Sequence, residues 1–171
     1  MEVALYDPQH GYYRNARDPF GKEGDFYTAS QLQPVFGRIL AGAFRRMRAQ
    51  LGEPSDFSVV EWGAGRGDLA TELSEFRYNA IDRDRGSSPS MITGVVFCNE
   101  LFDALPVDVL RLREQQPLLM RVGFSAGRFV WVDGEPPSSE WTDYAQQLAN
   151  CFPREHDVYL ELPVRLRETL I

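Results

Sequence analysis

Lysine is almost missing from this chain: Lys22 is the only one among 18 basic residues, and the rest are arginine. That imbalance reads as genome bias and carries no function. Cysteine and histidine are scarce as well. Cys98, Cys151, His10 and His156 are too few and too scattered for a disulfide framework or a metal-ligand spacing. Cys98 closes an apolar strand signal and Cys151 a helical one, so both read as packing residues. His10, beside Gly11-Tyr12-Tyr13, reads first as a structural hydrogen-bonder, with the border of an active site as the alternative. No internal repeat or low-complexity tract occurs, and the lack of a targeting peptide or transmembrane run in this stretch says little about the native amino terminus. Excess positive charge is also lacking. A net charge of −7 and a pI near 4.9 exclude a general nucleic-acid or anionic-membrane surface, because phosphate binding draws on clustered Lys and Arg. An acidic groove for a basic peptide stays compatible with that balance. What is present is 171 residues, 43% of them hydrophobic, enough for one soluble domain with a real core. Strand and helix signals alternate, which points to an α/β fold.

The richest stretch is Val59-Val60-Glu61-Trp62-Gly63-Ala64-Gly65-Arg66-Gly67-Asp68. An apolar run ends in an acid, and three glycines follow at every second position. Ser58–Trp62 reads as a buried parallel strand. The glycines allow a sharp turn and a close approach of bare backbone to a ligand, before a helix expected near Asp68. The free N–H groups of that helix start would face the ligand. A dinucleotide fingerprint, G-x-G-x-x-G, needs glycine at position 68, where Asp68 stands instead. Carboxylates at Glu61 and Asp68 suit the cationic S-adenosylmethionine (SAM) better than an anionic pyrophosphate. The plainer alternative is an ordinary glycine-rich turn.

Tyr78–Asp82 reads as the next strand. Asp82 lies 82 − 63 = 19 residues past Gly63, close to the roughly 20-residue offset at which an acid grips a cofactor ribose. Asp84 could take that role, and a solvated run Asp82-Arg83-Asp84-Arg85 is the bland reading. A third strand, Ile92–Cys98, runs into Asn99-Glu100-Leu101-Phe102-Asp103. The carboxyl ends of parallel strands open onto the ligand crevice, so Asn99, Glu100 and Asp103 are candidates for holding an acceptor guanidinium or amine and taking its proton. The alternative is helix capping, with Asn99 as the cap and the acids in a first turn; it is the preferred reading for Asp103, and function for the Asn99–Glu100 pair.

A helix is expected to start near Ser30 or Gln33. Leu32, Val35, Phe36, Ile39, Leu40, Ala43, Phe44 and Met47 form its core face, while Arg38, Arg45 and Arg48 are solvated. The aromatics Tyr12, Tyr13, Phe20, Phe26 and Tyr27 read as a wall over the sheet, with a cation cage as the alternative. After Pro106 the period becomes two, giving a β-meander over Val107–Leu112, Leu118–Phe124 and Arg128–Val132 that could shape a substrate groove or partner surface anchored by Trp131. Pro136-Pro137-Ser138-Ser139 is a linker and cap. A helix over Trp141–Phe152, a strand over Asp157–Leu162 and a short helix from Val164 follow.

Several blocks together carry a family resemblance: Tyr6-Asp7-Pro8, Gly11-Tyr12-Tyr13, Phe20-Gly21, Gly24-Asp25-Phe26-Tyr27-Thr28, Phe36-Gly37, the Glu61-to-Leu69 loop, and Asn99-Glu100-Leu101-Phe102-Asp103-Ala104-Leu105-Pro106-Val107. In this order they resemble the MidA-like (DUF185) family of SAM-dependent methyltransferases. The resemblance implies a Rossmann-like class I methyltransferase fold with SAM as cofactor and a protein arginine as leading acceptor. Mitochondrial relatives assemble complex I by dimethylating an arginine of one of its subunits, so a complex I subunit or its bacterial equivalent is the implied partner. Bacterial members would be cytoplasmic and eukaryotic ones would sit in the mitochondrial matrix. Carried over by position, Glu61, Gly63, Gly65 and Gly67 match the cofactor loop. Gly24, Asp25 and Thr28 match an amino-terminal lid, and Asn99, Glu100 and Asp103 match the substrate side. Two departures stand out. Asp82 is separated from Ser88-Pro89, where the family places an acid close to Ser-Pro, and the family's later Asp-Tyr-Gly block does not occur before Ile171.

One methyltransferase domain is therefore expected, with a lid and helical segment at 1–56, a cofactor core at 57–104, the meander at 105–135 and remaining core at 136–171. Residues 68–76 and 83–91 are short for βαβ crossovers, which normally take at least about 10–12 residues. The expectation is that internal segments are missing and both ends clipped, with Met1–Tyr6 matching an internal family helix. Two rivals remain: a non-catalytic assembly factor that keeps SAM as a structural ligand, and, more weakly, a nucleotide-dependent oxidoreductase.

Overall fold

The structure, a computed structural model, describes residues 1–14, 21, 24–25, 34–113, 116–149, 151 and 157–163. It divides into two compact units, Asn15–Ala104 and Met1–Arg14 with Leu105–Ile171.

In the first unit, helix α2 (Val35–Gln50) precedes three parallel strands, β1 (Ser58–Trp62), β2 (Arg77–Ile81) and β3 (Gly94–Cys98), in the order β2-β1-β3. The central strand pairs Ser58 with Arg77 on one side and with Gly94 on the other. Only glycine fits at position 94, where a Cβ would lie 1.9 Å from the Ser58 carbonyl oxygen. The core gathers Ala41, Phe44, Phe57, Val59, Leu69, Leu73 and Phe76, with Phe36, Leu40, Tyr78, Val95 and Phe97 packed on it. Each large apolar side chain buried there contributes roughly 1.5–3 kcal/mol.

Three expectations need correction. First, α2 buries Gly37, Ala41 and Phe44, whereas Val35, Ile39 and Met47 are exposed. Eight apolar residues cover more of a helix than one sheet can hide, and the contact goes to the small residues. At Gly37 a Cβ would lie 2.6 Å from the Glu72 Cβ, so the crossover rests directly on the bare backbone. Leu32 and the expected start at Ser30 or Gln33 lie outside the described residues. Second, no regular helix follows the glycine loop. Residues 65–75 are consecutive turns, closed mostly by three-residue steps such as Ala70 N–H to Gly67 O at 3.1 Å, with one four-residue step from Leu73 to Leu69 at 3.0 Å. Left-handed glycines occupy the start of this short segment, leaving too few residues to repay helix nucleation. Leu69, Leu73 and Phe76 nevertheless keep helical spacing and are buried. Third, Cys98 is only half-buried and Cys151 exposed, so Cys151 is not a packing residue.

In the second unit, α1 (Glu2–Tyr6) leads into a tight turn in which Asp7 Oδ1 accepts from the Gln9 and His10 amides at 3.0 and 2.9 Å. Tyr13 lies against Tyr6 and Tyr12, with ring centroids 5.6 and 5.0 Å apart; Phe20, Phe26 and Tyr27 lie outside the described residues. The meander forms as β4 (Asp108–Arg113), β5 (Gln116–Ser125) and β6 (Arg128–Asp133), followed by α3 (Ser139–Ala149) and β7 (Val158–Leu162). The antiparallel order is β6-β5-β4-β7. Ala126 and Gly127, with φ of 50° and 76°, make the two-residue hairpin turn whose twist suits paired strands. One core joins Leu110, Leu112, Leu162 and Ala145, with Trp141 and Leu119 beside them. Alternation places Val122, Phe124, Phe129 and Trp131, the expected anchor of a substrate groove or partner surface, together on one face of the β5–β6 hairpin, where all four are exposed. The short helix expected from Val164 lies outside the described residues. None of the described helices is long and apolar enough to cross a membrane.

Candidate functional site

Strand β1 carries the chain into Gly63, Gly65 and Gly67, whose φ angles are 69°, 53° and 80°. This left-handed region costs other L-residues roughly 1–2 kcal/mol each. At Gly63 a Cβ would lie 2.7 Å from Leu101 Cδ1, so the loop packs on the residue that follows Asn99 and Glu100. The ends of β1 and β3 therefore meet at one place.

The loop is held from the end of β2. Ala64 N–H donates to Ile81 O at 3.0 Å, Gly65 N–H to Asp82 Oδ2 at 2.6 Å, and Gly67 N–H to Ala64 O at 2.7 Å. Arg85 Nη2 donates to Gly65 O at 2.8 Å. Asp82 Oδ1 accepts from the Arg83 amide at 2.7 Å. Ser88 also returns to the site, where its Oγ accepts from Trp62 Nε1 at 3.1 Å. The chain between Asp82 and Ser88-Pro89 thus folds back beside the strand that precedes Gly63.

Glu61 is turned inward. It is 5% exposed, the only buried charged residue among those described, and accepts a hydrogen bond from the Tyr78 hydroxyl. Burial raises its carboxyl above the ordinary carboxylate range; the Tyr78 hydrogen bond and Arg85 pull the other way, while Asp68 and Asp82 add to the rise. Burial first, then Glu61, push the Tyr78 hydroxyl up as well.

At the end of β3, Asn99 is half-buried and Glu100 exposed, with Glu100 at φ 52°. A glutamate in the left-handed region is uncommon, and such strain gathers at functional sites. Asp103 lies exposed in the short 3₁₀ turn Phe102–Ala104. Of the amino-terminal block, Gly24 N–H donates to Gly21 O at 3.0 Å, and a Cβ on Gly21 would lie 3.9 Å from Arg66 of the loop. Asp25 is exposed, and Thr28 lies outside the described residues. The structure thus brings together Gly63, Gly65, Gly67, Asp82 and, through Leu101, the Asn99–Glu100 corner. Sequence reasoning missed Tyr78 and Arg85. Arg85 sat in a charged run whose acids alone were weighed for a role, and nothing in the spacing marks Tyr78 as the partner of Glu61.

The donor set discriminates between ligands. Three loop amides are already engaged inside the protein, so few remain for a diphosphate, and the carboxylates of Asp68 and Asp82 flank the loop while Glu61 is turned inward to Tyr78. Bare glycine backbone beside carboxylates fits a ligand carrying ammonium and sulfonium charges. Among the described residues no group of three or more His, Cys, Asp or Glu could hold a metal ion.

Known proteins agree with that chemistry. The chain is 40% identical over 84 residues to the protein arginine methyltransferase NDUFAF7 homolog, mitochondrial, of Drosophila melanogaster, covering 47% of this chain and 19% of that protein. The human protein arginine methyltransferase NDUFAF7, mitochondrial, is 36% identical over 73 residues, covering 43% and 16%. The chain thus spans less than a fifth of the length of these curated relatives in the matched region. A crystal structure of a COG1565 superfamily member from Burkholderia thailandensis bound to S-adenosyl-homocysteine superposes with a TM-score of 0.70 at 27% identity, covering 86% of this chain and 46% of that one. These neighbours confirm the class I methyltransferase fold. Residues 73–170 match the family described as "Putative S-adenosyl-L-methionine-dependent methyltransferase". That match takes in Asp82, Asn99, Glu100 and Asp103, and it covers more than half of the sequence: the chain belongs to the MidA-like family of SAM-dependent methyltransferases.

Proposed function

We propose that the protein transfers a methyl group from SAM to a guanidinium nitrogen of a protein arginine. The observation that supports this reading most is the contact of Gly63 with Leu101, which sets a left-handed glycine loop flanked by carboxylates beside the strained Asn99–Glu100 corner. Gly63, Gly65 and Gly67 would admit the cofactor to the backbone, with Asp82 at its ribose side and Gly24, Asp25 and Thr28 covering it. When bound, SAM supplies a methyl group on a positively charged sulfur. The chain's own work is alignment and proton removal. Asn99 offers a carbonyl acceptor and two donors to orient the guanidinium. The exposed Glu100 carboxylate pairs with that cation and accepts the proton released as the nitrogen gains its methyl, with Asp103 one turn away as a second acid. The names of the NDUFAF7 relatives favour arginine over other acceptors, and the family resemblance favours a complex I subunit or its bacterial equivalent as its source.

The test is transfer of labelled methyl from SAM to arginine-containing protein substrates by wild type and Glu100→Gln. Expected is methylarginine formation that falls by about 10²-fold or more in the variant, with S-adenosylhomocysteine (SAH) affinity retained. Unchanged turnover in Glu100→Gln would overturn the acid's role. Binding of SAH with no transfer to any arginine substrate would favour a non-catalytic assembly factor.

A further inference from the structure

We infer that Arg85 is a positioning residue, which together with Asp82 locks both backbone dihedrals of Gly65 and thereby sets the shape of the cofactor loop. The inference rests on the reading of this loop as the SAM site. The two peptide groups that flank the Gly65 Cα are each held by one charged side chain from the turn after β2. Asp82 Oδ2 takes the N–H of the 64–65 peptide at 2.6 Å, which fixes φ. Arg85 Nη2 holds the C=O of the 65–66 peptide at 2.8 Å, which fixes ψ. The turn that carries both groups is itself closed, since Asp82 N–H donates to Arg85 O at 2.8 Å and Arg85 N–H to Asp82 O at 3.0 Å. A second contact shows how closely the guanidinium lies on the loop: a Cβ on Gly67 would be 3.6 Å from Arg85 Nη2.

Glycine makes such a clasp necessary. With left-handed φ at three alternating positions, the loop has no side chain at those positions to restrict it, and glycine takes up either sign of φ with comparable ease. Either peptide could rotate and exchange its N–H for its C=O. Hydrogen bonds to charged partners, stronger than neutral ones, select a single orientation of each. Asp82 Oδ2 is thereby committed to the loop and Oδ1 to the Arg83 amide, so Asp82 shapes the protein as well as facing any ribose. Arg85 is solvent-exposed and contributes to no core cluster, so its loss should leave the fold intact.

The test uses Arg85→Ala and Arg85→Lys in the full chain, with two measurements: SAH affinity by calorimetry and, without ligand, hydrogen exchange at the Gly65 amide. Expected for Arg85→Ala is SAH binding weakened about 10-fold and Gly65 exchange accelerated by a similar factor, at an unchanged melting temperature. Arg85→Lys, which still presents a charged donor to the Gly65 carbonyl, should recover most of both. Unchanged exchange in Arg85→Ala overturns the clasp whether or not SAH binds. Accelerated exchange with undiminished SAH affinity overturns its role in positioning the cofactor. Failure of the wild type to bind SAH would instead count against the proposed function, while the exchange measurement still decides the clasp.

Discussion

The two units handle backbone geometry in opposite ways. In Asn15–Ala104, two of the three parallel strands, β1 and β3, run into left-handed residues, Gly63, Gly65, Gly67 and Glu100, and charged side chains from the turn after β2 hold the glycine loop. In the unit built on Leu105–Ile171, four antiparallel strands alternate regularly, and the left-handed residues among those described, Ala126 and Gly127, only close a hairpin. In the first unit left-handed residues also serve ordinary connections, as at Gly52, Glu53 and Gly86, but one group follows the carboxyl ends of β1 and β3; in the second unit they serve connection alone. Parallel strands bring their carboxyl ends to one side, so chemistry collects there, whereas antiparallel strands distribute their ends over both.

The contrast breaks most visibly at two glycines. Gly94→Ala would push a Cβ to within 1.9 Å of the Ser58 carbonyl and separate β3 from β1. We expect a loss of more than about 3 kcal/mol in urea unfolding, beyond the usual range of overpacking. Gly127→Ala has φ 76° but nothing within 4 Å, so it should cost only about 1 kcal/mol. Equal effects would mean that the parallel sheet does not depend on close approach at Gly94. Next in size is Glu100→Gly. If the left-handed φ of Glu100 is held for its carboxylate, glycine should raise unfolding stability by about 1 kcal/mol while abolishing methyl transfer. A variant that gains stability and keeps its activity would remove the functional reason for the strain.

The smallest effects concern pH, where the units should show opposite slopes. Burial raises the folded pKa of Glu61 above its unfolded value, so its stabilising contribution is present below the ordinary carboxylate range and lost as pH rises through the folded value. Glu61→Gln, which keeps a neutral partner for the Tyr78 hydroxyl, should flatten that fall. Glu135 is held below the usual range by its hydrogen bond from Arg121, so its contribution is present above the unfolded pKa and lost as pH falls through the folded one. Glu135→Gln should remove that acid-side loss, weakly, because the pair is exposed and screened by salt. Denaturation midpoints measured across pH would show the two slopes.

Periodicity and turn chemistry made most of the architecture legible. The alternation after Pro106 marked three strands close to their observed bounds, and the signals at 58–62, 78–82 and 92–98 marked the parallel ones, observed at 58–62, 77–81 and 94–98. The sequence misled where a tertiary contact overrode a local pattern. Ile39 and Met47 have the spacing of core residues, but α2 turns another side inward, with Gly37 against the crossover at Glu72 and Phe44 against Phe97 of β3. Asp68 promised a helix start, yet the glycines before it leave only turns. The glycine loop and Asp82 were readable from type and spacing, whereas Arg85 was hidden in a charged run because its target is a backbone carbonyl 20 residues earlier, with no side chain to mark it. Glu61 looked like a ligand-facing acid, and only the register of β1 on β2 shows it aimed at Tyr78.

The contact of Gly63 with Leu101 also constrains how this protein can vary. Any side chain gained at 63 would occupy the space that Leu101 fills, and a larger residue at 101 would press on the loop. The two positions, each just past the end of a different strand and 38 residues apart, therefore form one steric unit: across descendants of this sequence, a side chain at 63 should survive only where position 101 has shrunk to admit it, and with glycine at 63 position 101 should not grow.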